Sequence, residues 1–410
     1  MNFLNEVANR YPDAVPFAAG RPFETFFAVE DVHRHLQRFS EYLEYDCGLT
    51  PEQVRRVICQ YGRTKGIVHQ LVARNLAIDE GIEVDPESIL VTVGCQEAMF
   101  LVLRALRADD RDVVLAVRPT YVGLEGAAQL VNMQVLPVAD APGGIDLNDL
   151  TIQMHEARKA GLRPRALYVI PDFANPSGNS MDLTTRRRLL EIATQEDLLL
   201  LEDNPYGLFH GDRERLPTLK ALDQSRRVVY LGSFAKTVMP GTRVGYVVAD
   251  QRVADRTGSV ELLADQLSKI KSMLTVNTSP IAQAVIGGKL LEDGNSLIRS
   301  NAAAKALYAA NLKQIADGLA QRVPPGRGVA WNSPTGGFFL VVTVPFPADD
   351  AALEMSAQRY GVLWTPMHHF YGGKGGEYQL RLSASAVTPE EIESGLDRLV
   401  AFVSDQIAGN

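Results

Sequence analysis

The chain has 410 residues, 46% hydrophobic and 22% charged, with a formal net charge of −8. That is length enough for two domains, in the ordinary composition of a soluble globular protein. The acidity argues against nucleic-acid or membrane-surface binding. Three cysteines, Cys47, Cys59 and Cys95, cannot make a disulfide framework and fit a reducing compartment. Residues 1–7 show no basic segment followed by a long apolar run. Apolar runs such as 338–342 are far too short to span a bilayer. A cytoplasmic location is therefore expected.

Up to about Pro51 the chain mixes loop and short helix, and Tyr61, in Gln60-Tyr61-Gly62, falls in a loop. Residues 88–94 read as a strand entering a turn, and 96–106 as the helix that follows. In that turn, Val93-Gly94-Cys95-Gln96, a glycine between strand and helix lets backbone N–H groups face a phosphate. Short apolar runs follow at 112–117, 135–138, 166–170, 198–201, 228–231 and 244–248, most of them separated by helical patterns such as 186–196. Unbroken apolar strands alternating with helices imply a mostly parallel sheet covered on both faces. A long helical tract at 302–319 leads to a second domain, with strands at 336–343 and 378–382 and a closing helix at 390–407.

The most telling stretch is Ser233-Phe-Ala-Lys236, followed by Pro240-Gly241-Thr242-Arg243-Val-Gly245. A lysine amine can condense with the aldehyde of pyridoxal phosphate, while a nearby serine hydroxyl and guanidinium hold the phosphate. Asp203 follows the apolar run 198–201, at a strand C-terminus, where open α/β sheets place ligands. Asn175-Pro176-Ser177-Gly178 follows the run 166–170. Taken singly, Asn175-Pro176-Ser177-Gly178 is only a turn, and the alternative for Asp203 is a turn or helix-cap aspartate.

With these three pieces in this order, the chain resembles the class I/II aminotransferases, the fold type I group of pyridoxal phosphate enzymes, from about Gly20 to Arg381. The resemblance implies an α/β fold. A large domain, 51–300, holds the cofactor on a mostly parallel mixed sheet between helices; residues 1–50 join 301–410 in a smaller α+β domain. It implies that Lys236 carries the cofactor and moves a proton, that Asp203 faces the pyridine nitrogen, and that Asn175 and Tyr206 donate to the 3′-oxygen. Gly94, Cys95 and Gln96 would meet the phosphate together with Ser233 and Arg243; relatives commonly have a small hydroxyl residue where Cys95 stands. Tyr121 would stack on the ring. Tyr61 would reach the phosphate of a neighbouring subunit, which implies a homodimer with shared active sites. Arg381, in Leu380-Arg381-Leu-Ser383, would grip the substrate α-carboxylate with two parallel hydrogen bonds, with Gly20 and Asn175 also on the substrate side. Between Gly66 and Arg74 the chain departs from the family pattern.

The implied activity moves an amino group from an L-amino acid to a 2-oxo acid. The opening, with Tyr11-Pro-Asp-Ala and Phe17-Ala-Ala-Gly20-Arg21-Pro, also resembles transaminases that make hydroxyphenylglycine-type residues, so an aromatic or arylglycine substrate is expected. Phe23, Phe26, Phe27, Phe370 and Tyr371 either line the side-chain pocket or pack the domain interface. Arg21 is the one nearby cation for a second carboxylate. Adjacent histidines such as His368 and His369 ligate one ion in poor geometry. No metal is expected; one histidine reads as a polar group at the pocket edge, the alternative being a plain solvated loop. The same motifs serve lyases, cyclases and oxidases of amino acids. The non-enzymatic alternative is a ligand sensor like the aminotransferase-like half of certain bacterial regulators.

Overall fold

The computed structural model describes residues 2–211, 214–254 and 258–409. Seven strands form the central sheet: β1 (Ile89–Val93), β2 (Asp112–Arg118), β3 (Gln134–Ala139), β4 (Arg163–Val169), β5 (Leu199–Asp203), β6 (Val228–Ser233) and β7 (Val244–Val248). Their order is β1-β7-β6-β5-β4-β2-β3. β7 alone runs against its neighbours, pairing antiparallel with β1 and β6, while the remaining pairs are parallel. The sheet is thus α/β and mixed.

Successive strand residues point to opposite faces, and both faces are covered. Leu201 of β5 and Ala166 and Tyr168 of β4 pack under the helices Gly94–Leu106, Val122–Leu130 and Leu263–Leu274. Leu200, Leu167 and Val169 pack on the other side, against Leu147–Lys159 and Leu183–Gln195. This double burial is why the strands read as unbroken apolar runs.

A four-stranded antiparallel sheet builds the smaller unit, in the order Ala330–Trp331, Phe339–Thr343, Gln379–Ser383, Thr365–Pro366. Its core includes Leu340, Leu380 and Leu382 together with Ile315 and Leu319 of the helix Ala302–Arg322 and Leu396 and Phe402 of the helix Pro389–Gly409. The strand expected from 336 starts at Phe339, because Gly337 turns with φ 75° in a conformation closed to most side chains. The N-terminal segment divides. Val15 and Pro16 pair with Val362 and Leu363, and Phe17 enters the small core. The helix Val29–Glu41 instead puts Phe39 against Ala284, Ile286 and Leu290 beside the large sheet. The described side chains before Pro51 therefore pack on both cores. Among the described residues no helix is long and apolar enough to cross a membrane.

Candidate active site

β1 to β6 share one direction, so their C-terminal ends meet along one edge, and the chain entering β7 starts from that same edge. Asp203 ends β5, Ser233 ends β6, Gly94 follows β1 and Arg243 precedes β7. The small sheet faces them. In the strand Gln379–Ser383, Leu380 and Leu382 enter the core and Arg381 points the opposite way. Between the two lies a cavity of about 1290 Å³, lined among others by Asp203, Lys236, Arg243, Asn175, Tyr121 and Arg381.

Lys236 sits in the turn after β6, where its Nζ donates to the Gly20 carbonyl at 2.6 Å. Lys65, Lys220 and Lys271 are also buried, but each pairs with a carboxylate at 2.6 Å. Lys236 has a neutral acceptor instead. Burial, then the charges of Arg243 and Arg381, push its amine down to about 8.

Asp203 is 4% exposed, and its carboxylate accepts from the Tyr168 hydroxyl at 2.6 Å and the Cys95 thiol at 3.4 Å. Burial raises it to about 6, against the pull of those two donors. Burial and Asp203 together push the Cys95 thiol up, which keeps it a protonated donor. Tyr121, which precedes the helix Val122–Leu130, is pushed up to about 12, mainly by burial. Tyr206 is buried against Phe338 and Phe339, with ring centroids 5.1 and 5.6 Å away. Burial raises its hydroxyl most, and a hydrogen bond with the Asn175 side chain works the other way.

The strand-to-helix turn is shaped for an anion. Gly94 has φ 69°, and a Cβ there would lie 2.7 Å from Arg243 Nη2, so the guanidinium lies against the turn. The first amides of the helix Gly94–Leu106 have no intrahelical acceptors, and Glu97 caps Val93 N at 2.6 Å. The Gln96 side chain is already engaged, donating to Gly123 O at 2.7 Å, which leaves its backbone amide for a ligand. Ser233 Oγ accepts from Ala235 N at 3.2 Å.

Arg381 is 6% exposed and donates to Asn175 Oδ1 at 2.5 Å, Ala18 O at 3.0 Å and Thr365 Oγ1 at 3.1 Å, all neutral acceptors. Its Nε is buried without a partner, and its Cζ lies 4.1 Å from the Phe339 ring centroid and 5.1 Å from that of Phe370. Burial lowers its pKa to about 10. An uncompensated buried guanidinium calls for an anionic ligand.

The expected site residues come together in this one cleft, except Gly94, which is buried beside Arg243, and Tyr61. That tyrosine is 86% exposed and lies outside the cleft. The aromatic set divides: Phe23 and Phe370 line the cleft, Phe26 and Phe27 line a separate small cavity, and Tyr371 packs beside Met367 and Phe370. Of the two histidines, His369 lines the cleft. Ligand atoms of Asp350, His368 and His369 lie within 4.8 Å of one another. Sequence reasoning missed Tyr168, Thr365 and Asp350, none of which carries a local motif.

The donor set suits pyridoxal phosphate. It offers a buried amine without an acid partner, an anion-shaped turn under a guanidinium, and a buried carboxylate whose donors are both neutral. The comparisons agree. The family model for aminotransferase class I and II matches residues 55–399. The (S)-3,5-dihydroxyphenylglycine transaminase of Amycolatopsis orientalis is 56% identical over 407 residues, covering 99% of this chain and 92% of that protein. The aromatic-amino-acid aminotransferase 1 of Thermococcus litoralis is 29% identical, covering 96% and 89%. A Pyrococcus horikoshii kynurenine aminotransferase structure superposes with TM-score 0.83 at 26% identity, covering 98% of this chain and 94% of that one. The chain belongs to the class I and II aminotransferases. Its cofactor is pyridoxal 5′-phosphate, and its substrates are amino acids and 2-oxo acids.

Proposed function

We propose that this protein is a homodimeric, cytoplasmic transaminase acting between a hydroxylated arylglycine and its 2-oxo acid. The observation that carries the substrate reading is that Arg381 is the one buried guanidinium among the described residues of the cleft and meets only neutral acceptors, while Arg243, which also lines the cleft, is exposed and lies against the Gly94 turn. Arg381 has no acid partner and its Nε is unpartnered, whereas Arg21 is exposed and paired with Glu24 at 3.0 Å, and the exposed Arg398 donates to Gly361 O at 3.1 Å. The rings of Phe339 and Phe370 flank Arg381, and Phe370 and Phe23 line the cleft. One carboxylate receptor with aromatic walls suits a monocarboxylic aromatic amino acid, in line with the arylglycine relative.

Lys236 would carry the cofactor. Ser233, Arg243 and the amides of the Gly94–Cys95–Gln96 turn would hold its phosphate, Asp203 its ring nitrogen, and Asn175 and Tyr206 its ring oxygen, with Tyr121 against its face. When bound, the cofactor draws electrons from the substrate Cα, acidifying the Cα–H bond. The chain supplies the rest. Arg381 fixes the α-carboxylate. The Lys236 amine takes the Cα proton, and a pKa of about 8 suits a base working near neutrality. Asp203, anionic, holds an opposing ring nitrogen protonated.

The dimer reading rests on surface chemistry. Tyr61 and Met273 are each 86% exposed, with Leu274, Val276 and Ile281 also exposed. A Cβ on Gly62 would touch Pro280, so the Tyr61 loop rests on the start of the helix Pro280–Glu292. This apolar patch suits burial against a second copy. All three cysteines are free, as a reducing compartment requires.

Single-turnover mixing of the enzyme with 3,5-dihydroxyphenylglycine, 4-hydroxyphenylglycine, tyrosine, glutamate and aspartate tests the substrate. Arylglycines should react fastest; a clear preference for aspartate would contradict the reading.

A further inference from the structure

His369 belongs to the cleft wall but has no part in the chemistry above. It lies in the short helical turn Met367–Phe370, one residue before the ring that flanks Arg381. Its Nε2 lies 2.7 Å from Asp350 Oδ1, in the first turn of the helix Asp350–Met355. His368 Nε2 is farther from the same oxygen, at 3.7 Å, and its ring leans on His369 with centroids 4.1 Å apart.

A carboxylate only accepts, so Nε2 must carry the hydrogen in this pair. With the ring neutral, that tautomer leaves Nδ1 as an acceptor. We propose that His369, oriented by Asp350, determines specificity by accepting a hydrogen bond from a hydroxyl group on the substrate's aromatic side chain; this rests on the arylglycine reading given above. A hydroxyl supplies the donor that Nδ1 lacks. A side-chain carboxylate would set acceptor against acceptor, with the Asp350 charge close behind. An aryl ring joined directly to Cα has little reach beyond the carboxylate receptor, and His369 stands next to the ring beside that receptor. Asp350 does not line the cleft and acts as a positioning residue.

The test uses the holoenzyme and acids that carry ring and carboxylate but no amino group: phenylacetate, 3,5-dihydroxyphenylacetate and 3,5-dimethoxyphenylacetate. Dissociation constants are read from the change in cofactor absorbance. Wild type should bind the dihydroxy acid about tenfold more tightly than phenylacetate, the worth of one hydrogen bond in a desolvated site. The dimethoxy acid, which cannot donate, should lose that advantage. His369→Phe should bring the ratio close to one, and Asp350→Asn should lower it part of the way. The dimethoxy comparison needs no variant, so a misfolded mutant does not rescue the idea. A dihydroxy advantage that survives His369→Phe, or that the dimethoxy acid shares, overturns the inference and leaves the arylglycine reading standing. A preference abolished by a chelator overturns it in favour of a metal at Asp350, His368 and His369. Failure of all three acids to bind, while glutarate binds, overturns the substrate reading and this inference with it.

Discussion

Asp203→Asn is the substitution whose effect the structure sizes best. The carboxylate is 4% exposed, and its donors, Tyr168 and Cys95, are neutral. A cationic ring nitrogen would supply the missing opposite charge. At about 4 Å and an effective dielectric of about 20, that attraction is about 4 kcal/mol. If it is felt in the rate-limiting proton transfer, its loss slows the reaction roughly a thousandfold. Asparagine keeps the shape and can still accept from Tyr168, so the loss isolates the charge. The assay is stopped-flow transfer of the amino group from 3,5-dihydroxyphenylglycine to enzyme loaded with equal cofactor. Tyr168→Phe is the companion variant. It leaves the carboxylate but removes the 2.6 Å donor that favours its charged form. The acid limb of its pH–rate profile should therefore move to higher pH, with a much smaller loss at alkaline pH. Asp203→Asn enzyme working within tenfold of wild type would refute the reasoning.

Arg381→Lys keeps a charge but loses the planar fork, and should lower kcat/KM by roughly a hundredfold, about 3 kcal/mol, without loss of bound cofactor; an unchanged kcat/KM would remove Arg381 from substrate binding. The lysine that reacts with free cofactor must be neutral, and Lys236 is pushed down to about 8 from 10.5. Reconstitution of the cofactor-free protein should thus quicken with pH and level off just above 8; a rate still climbing toward 10.5 would contradict the burial argument. Mixing Lys236→Ala chains with Tyr61→Phe chains should create dimers with one intact site if Tyr61 serves the partner's phosphate. Activity of the mixture above both parents supports sharing, and activity no higher than their average denies it.

Much of the catalytic centre is readable in the chain because its chemistry is local. Ser233, Lys236 and Arg243 stand within eleven consecutive residues, and Asp203 and Gly94 mark strand ends that apolar runs announce. Arg381 betrays itself by interrupting leucines in a strand. What escapes is whatever tertiary packing brings together. Tyr168 looks like any core tyrosine in β4 until β5 places Asp203 beside it. His369 and Asp350 are 19 residues apart and meet only because a helix start faces a turn. The antiparallel direction of β7 is invisible in an apolar run, since burial on both faces looks alike whichever way a strand runs. The helix Val29–Glu41 packs with the large core although Val15 and Phe17 before it join the small one, and no composition shift marks the change.

The central claim is that Lys236 carries the cofactor of an aminotransferase. Borohydride reduction of the holoenzyme, followed by proteolysis and mass mapping of the modified peptide, tests it most directly. The account predicts a single phosphopyridoxyl group on Lys236, absent after Lys236→Ala although that variant still binds cofactor. Modification at Lys65, Lys220, Lys271 or any other lysine would contradict it.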